Sequence, residues 1–170
     1  MAKNAAEKAY ELGHYYEKTY HGCSQCAIAA LQDVFDIRND DLFKSSTALA
    51  GGSALSTEGS CGAYIGALTV LGLLVGRERD DFNDAAGVRF TTHRLAGELR
   101  KKFIDEYGSI ICRNIQTKVM GRPYYLGDKD EYEKFHNAGA HEIYCPDVVG
   151  KAARWMAEII QDAKLVPPGK

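Results

Sequence analysis

Residues 61–76 read CGAYIGALTVLGLLVG and form the longest apolar run of the chain. The stretch from Gly62 to Gly76 is shorter than the roughly 20 residues a helix needs to cross a bilayer, and Glu58 and Arg77 bound it. It therefore reads as a buried core helix, with no membrane insertion expected. Gly62 and Gly66 stand four apart, as do Gly72 and Gly76, which leaves a face of small residues open to another backbone. Tight helix packing is the plain reading of that face, and close backbone approach to a cofactor is the sharper one.

Outward from this helix the periodicity stays helical, with few alternating or β-branched runs. Ala5, Ala9, Leu12 and Tyr16 recur at three- and four-residue intervals. Cys26, Ala29, Ala30 and Phe35 continue the habit after His21-Gly22, which predicts two helices joined by a glycine turn. A short helix is predicted over Leu42 to Ala50, ending at Gly51-Gly52. The spacing of Phe82, Ala86 and Phe90, then Leu95, Leu99 and Phe103, predicts one long helix from Asp81 to Tyr107, stopped by Gly108. A short helix follows Ser109, and a last one follows Cys145 with Val148, Val149, Ala152, Trp155, Met156 and Ile159 on its apolar side. Residues 117–144 are polar, glycine-containing and aromatic, an irregular excursion with a short helix around Asp130 to His136. The expected fold class is all-α: a multi-helix bundle forming a single domain over residues 1–170, an ordinary size for one core.

Composition narrows the function. The chain is 45% hydrophobic and 26% charged, with 21 basic against 23 acidic residues, and it has no basic block to recruit nucleic acid. Charges are spread through Met1 to Tyr10 without an apolar run, which speaks against a secretory leader and for a cytoplasmic protein. Five cysteines, an odd number, are a poor basis for a disulfide framework in a reducing compartment. Metal binding, an iron–sulfur cluster and catalytic thiols are then the competing uses.

The positions of four cysteines favour a shared site. Cys23 follows His21-Gly22 and opens the second helix, and Cys61 follows Gly59-Ser60 and opens the apolar one. Cys112 lies in the first turn after Ser109, the expected cap, while Cys145 precedes Pro146 and takes the cap position itself. At a helix start, free backbone N–H groups and the positive end of the dipole favour a thiolate. Lowered pKa values and a common metal or redox site are therefore expected for Cys23, Cys61, Cys112 and Cys145. Gly51-Gly52-Ser53 and Gly59-Ser60 form a flexible lead into Cys61 able to donate N–H groups to sulfur. Cys26 makes a C-x-x-C with Cys23, a spacing shared by redox dithiols and metal knuckles, or else simply faces the core.

His14, His21, His93, His136 and His141 are further candidate ligands, of which only His21 and His141 lie near a cysteine in sequence. His141-Glu142 lacks the second histidine of a zinc-protease helix, and no phosphate-binding loop, dinucleotide fingerprint or nucleophile elbow occurs. Tyr124, Tyr125, Tyr132 and Tyr144 read as an aromatic packing cluster.

Cys61-Gly62-Ala63-Tyr64-Ile65-Gly66 matches the C-G-A-x-x-G signature of the C_GCAxxG_C_C family of redox-active proteins. Cys23-Ser24-Gln25 resembles its first motif and Gly51-Gly52 its glycine run, and Cys112 and Cys145 stand where its two later cysteines are expected. The resemblance spans Tyr20 to Ile160. It implies a four-cysteine redox protein; four thiolates suit the ligation of a 2Fe–2S or 4Fe–4S cluster, or a dithiol/disulfide electron carrier, with an unidentified redox partner. It implies a tie to transporters, near whose genes the family is often encoded, and kinship with a domain of split-Soret cytochromes that has a suspected iron–sulfur site. No haem attachment follows, because Ala27 and not His follows Cys26.

The chain departs from the family in two places: Cys26 adds to the four-cysteine pattern, and residues 117–144 are longer than the pattern needs. Outside redox chemistry the alternatives are a helical module with a structural cysteine-bound zinc, whose ligands would here be scattered, and an interaction protein for a transporter. The glycine-bearing helical faces leave a homodimer open.

Overall fold

The computed structural model describes residues 4–166. Met1 to Lys3, part of the stretch read against a leader, and Pro167 to Lys170 lie outside the described residues. Among those described there are eight α-helices and no strand: α1 (Ala5–Tyr20), α2 (Cys23–Phe35), α3 (Asp40–Ser45), α4 (Gly62–Val75), α5 (Val88–Tyr107), α6 (Cys112–Met120), α7 (Lys129–Asn137) and α8 (Cys145–Asp162). A 3-10 turn, Thr47–Leu49, follows α3, and a π-helical turn, Ala140–Tyr144, winds into α8. No helix is long and apolar enough to cross a membrane. The all-α bundle read from the periodicity is the architecture found.

The core is built on α2, α4 and α8, with α1 laid along α8 and α2, and α5 covering α4 and α8. Ile28 and Leu31 from α2, Val70 and Leu71 from α4, and Val149, Met156 and Ile160 from α8 are fully buried, joined by Leu99 and Phe103 of α5. Each such side chain contributes roughly 1.5–3 kcal/mol by leaving water. The apolar faces read for α4 and α8 are thus the ones that pack. A second, smaller cluster of Tyr124, Leu126, Phe135 and Ala140, with Met120, Tyr132 and Cys145 against it, gives the 117–144 excursion a core of its own.

Away from the interior, polar side chains start the helices. Asn4, Asn39 and Asp128 each accept a hydrogen bond from a backbone N–H in the first turn of α1, α3 and α7. The helices α2, α4 and α6 have no side-chain cap; α2 and α6 begin at a cysteine, and Cys61 precedes the first residue of α4.

Several expectations change. The long helix from Asp81 starts only at Val88, because Asp84 turns back with φ 52 and accepts hydrogen bonds from the N–H groups of Val88 and Arg89. Phe82 and Phe90 are exposed at 69% and 63%, so the first half of that spacing was no core stripe. The helix expected over Leu42 to Ala50 splits at Ser46 into α3 and the 3-10 turn, and Ile111 rather than Ser109 caps α6. On α1 the buried stripe is Ala6, Ala9, Gly13 and Glu17, rotated by one residue from the one read. A Cβ on Gly72 would meet nothing within 4 Å, so no backbone approaches α4 there.

Candidate functional site

Each of the four cysteines is delivered by a local device. His21 and Gly22 adopt positive φ, 60 and 86, so the chain reverses in two residues and starts α2 at Cys23. Cys61 is the N-cap of α4, and Cys112 is the first residue of α6. These two are tied by a short antiparallel pairing around Ser60 and Ile111. The N–H of Cys61 donates to the Ile110 carbonyl at 2.7 Å, and the N–H of Cys112 donates to that of Gly59 at 3.0 Å. Cys145 departs from the expectation of a cap: the π turn already winds helically from Ala140, so Cys145 sits at the junction of π and α winding, followed by Pro146. Such π segments are frequent at functional sites.

The lead into Cys61 is not a slack linker. Gly51, Gly52, Ser53, Ala54 and Leu55 all have positive φ, as does Thr57, which makes a short left-handed turn. That conformation costs non-glycine residues roughly 1–2 kcal/mol each. It is held by Ala54 N–H on the Ala48 carbonyl at 2.7 Å, Thr57 N–H on that of Gly51 at 2.8 Å and Gly59 N–H on that of Gly52 at 3.0 Å. Backbone strain of this kind gathers at functional sites.

Cys23, Cys61, Cys112 and Cys145 line one cavity of about 110 Å³. Its wall is otherwise mostly apolar and aromatic, including Leu55, Val119, Leu126, Phe135 and Tyr144, with Glu17, His21 and His141 as further polar members. All five cysteines are free thiols. Among the described residues, no three His, Cys, Asp or Glu side chains are gathered for a single metal ion. Cys26 does not line the cavity; it is 4% exposed and its thiol donates to the His21 carbonyl at 3.1 Å.

The two motif glycines do different things. A Cβ on Gly62 would overlap the Sγ of Cys23, so Gly62 is what lets the two helix starts share the site. A Cβ on Gly66 would strike the backbone of Ser24, which makes Gly66 a packing residue between α2 and α4.

Burial, and not the helix ends, dominates the thiols. Cys61 and Cys112 are pushed up to about 12 by desolvation, and Cys23, Cys26 and Cys145 are also raised. The backbone amides of Ala63 and Tyr64 oppose the rise at Cys61, as that of Gly51 does at Cys23, but they do not reverse it. The lowered values expected from helix placement alone are therefore corrected: a peptide dipole is weaker than the loss of water around a buried anion. A bound cationic group would invert that balance.

Of the five histidines, His21 and His141 reach the cavity, as their nearness to cysteines suggested, and His136 joins them. The His136 and His141 Nδ1 atoms are 3.2 Å apart, and burial holds His141 down to about 4, uncharged at neutral pH. His14 stacks near Tyr10, and His93 is exposed on α5. Of the aromatic cluster read in the excursion, Tyr124 and Tyr132 pack on Phe135, Tyr144 lines the cavity, and Tyr125 is 57% exposed.

Two residues had no place in the sequence reading. Glu17 is 2% exposed on the cavity wall, its carboxyl pushed up to about 8 by desolvation. Its signal was an acidic residue on the stripe of Ala6, Ala9 and Gly13. Gln116 is also buried, with Nε2 3.6 Å from the Cys112 Sγ and Oε1 accepting from the Tyr124 N–H at 2.7 Å.

No match to the chain is found among curated proteins or among solved structures. Residues 21–159 match the family described as "Putative redox-active protein (C_GCAxxG_C_C)", a span that holds every cysteine lining the cavity. With the signature stretch of α4, its glycine lead and all four cavity cysteines inside that match, the chain belongs to the C_GCAxxG_C_C family of redox-active proteins.

Proposed function

We propose that Cys23, Cys61, Cys112 and Cys145 ligate an iron–sulfur cluster and that the protein carries electrons. The observation behind this reading is the four cysteines that line one small, largely apolar cavity. About 110 Å³ suits a compact inorganic group and leaves little space for an organic substrate beside it. The N–H groups of Gly51 and Ser24 face Cys23 and those of Ala63 and Tyr64 face Cys61, which suits a thiolate-ligated group of net negative charge.

An iron–sulfur cluster supplies reversible one-electron transfer at a potential tuned by burial and by N–H donors to sulfur. The four cysteines release their protons on ligation, the amides of Gly51, Ala63 and Tyr64 favour the thiolates, and the excursion's aromatic wall excludes water. A dithiol/disulfide carrier is the weaker reading. Exchange needs an accessible thiolate, and burial disfavours that form here. A structural zinc wants four donors about 2.3 Å from one point, which the four thiols do not offer. A reducing compartment suits five free thiols, and the electron partner would be met there.

The test is purification without oxygen, followed by iron and acid-labile sulfide analysis and a visible spectrum. Iron with sulfide and thiolate-to-iron absorption is the expected result. Zinc alone, or neither metal nor sulfide with reversible pairing of the four cysteines, would overturn the cluster reading.

A further inference from the structure

On α1 the buried stripe runs Ala6, Ala9, Gly13, Glu17. The small residues are explained by α8: a Cβ on Gly13 would stand 3.2 Å from the Val149 carbonyl oxygen. The next position of the same stripe, where close packing asks for another small or apolar residue, carries a carboxyl group. Glu17 is 2% exposed, its Oε2 has no hydrogen-bond partner, and it stands on the wall of the cavity that the four thiols line. The thiol of Cys26 hydrogen-bonds the same carboxyl, which leaves Oε2 as its unpartnered oxygen, and the Glu17 carbonyl receives the His21 N–H.

We propose that Glu17 is an oxygen ligand of the metal centre, binding one of its metal ions through Oε2 beside the four thiolates. The proposal rests on the cluster reading and adds a donor that the cysteine motif does not contain. Buried polar atoms are nearly always partnered, and an orphan at a cavity wall marks a place where a partner belongs. No side chain of the described residues takes that place. A metal cation can, because it offsets the carboxylate and the thiolates together. Carboxylate oxygen is a harder donor than thiolate sulfur, so the ion that Glu17 binds differs electronically from its neighbours. Binding as carboxylate releases the carboxyl proton to water and leaves the redox state unchanged.

The isosteric Glu17→Gln keeps the shape of the side chain and removes the charge. Wild type and variant, both reduced and loaded with ferrous iron and sulfide without oxygen, are compared by Mössbauer spectroscopy and by the rate of iron loss to a chelator. A distinct iron subsite in the wild type, missing in the variant, with iron lost about tenfold faster from the variant, is expected. Identical spectra and identical loss rates would overturn the ligand role. Thermal unfolding of the metal-free chains separates this from a folding defect: E17Q is expected to melt no lower than wild type, and Glu17→Asp, which withdraws the oxygen by one methylene, to lose iron at an intermediate rate. If the wild type takes up no iron, the cluster reading fails. The ligand role then falls with it, whereas iron bound and lost alike by both chains overturns the ligand role alone.

Discussion

A Cβ placed on Gly62 would overlap the Sγ of Cys23 and stand 3.1 Å from both the Ala50 Cα and the Leu49 carbonyl oxygen. Two of those contacts are backbone, which cannot swing aside. Gly62→Ala must therefore move the start of α2 away from α4 and part the four cysteines. The expected cost is about 1–3 kcal/mol, as for other overpacked sites, with loss of bound iron. Gly72→Ala, on the same helix but facing open space, is expected to gain about 0.5–1 kcal/mol. Calorimetry on the pair checks this, at roughly 2–4 °C of Tm per kcal/mol; a G62A variant as stable as G72A would sever the tie between this glycine and the cysteine.

Alkaline pH should loosen the metal-free fold. Cys61 and Cys112 rise from 9.0 to about 12 on folding, both through desolvation. Between those values the unfolded chain binds fewer protons than the folded one, so the stability is fully present below the lower value and is lost as pH climbs through the upper. Glu17 acts in the same sense at lower pH, its carboxyl being raised from 4.5 to about 8. Urea midpoints of the reduced, metal-free protein should fall steadily from neutral pH upward. Iodoacetamide should label the folded thiols slowly at neutral pH and the urea-unfolded thiols fast. A midpoint that holds level far into the alkaline range would contradict the burial of these thiols.

The bundle was legible because its period is strong where it matters: α4 is apolar throughout, and α8 presents Val148, Val149, Ala152, Met156 and Ile159 on one face. Cys23, Cys61 and Cys112 were legible from their places at helix starts, while Cys145, expected at a cap, lies where π winding passes into α8. What sequence could not give were effects that depend on distant partners. Phe82 and Phe90 keep a helical spacing, yet only the turn of Asp84 onto Val88 decides that they lie outside the core. Helix-start placement correctly located Cys61, but its proton affinity is set first by its burial, which the bundle's packing decides. Glu17 was hidden because an acidic residue on a helix ordinarily marks the solvent face, and only the position of α8 shows which face is inside.

Gln116 links one site cysteine to the covering excursion, through Nε2 to the Cys112 Sγ and through Oε1 to the Tyr124 N–H. Gln116→Leu has a similar volume but leaves that buried N–H without an acceptor, a loss of about 1–3 kcal/mol. The damage should be local. Hydrogen exchange is expected to speed up at Tyr124 and across the small cluster around Leu126 and Phe135, with the amides of α8 little changed. Uniform acceleration over the whole chain, or none at Tyr124, would show that this side chain does not anchor the excursion.

Cys23 and Cys26 form the C-x-x-C that sequence reading left open, and their surroundings separate them. Cys23 is the first residue of α2, on the cavity wall and against Gly62. Cys26 lies one turn deeper, off the wall, with its thiol directed back to the His21 carbonyl at 3.1 Å. Cys26→Ser preserves that hydrogen bond, since a hydroxyl donates to a carbonyl as a thiol does, and nothing about the four cavity cysteines changes. Iron per chain in Cys26→Ser should therefore equal that of wild type, whereas Cys23→Ser, Cys61→Ser, Cys112→Ser and Cys145→Ser should each lose most of it. The serine at 23 would keep the turn at Gly22 intact, so a loss there reports the missing sulfur and not a lost helix start. Equal iron loss from the variants at 23 and 26 would instead make the C-x-x-C a ligand pair, which would require α2 to turn its first helical turn toward the cavity when metal binds.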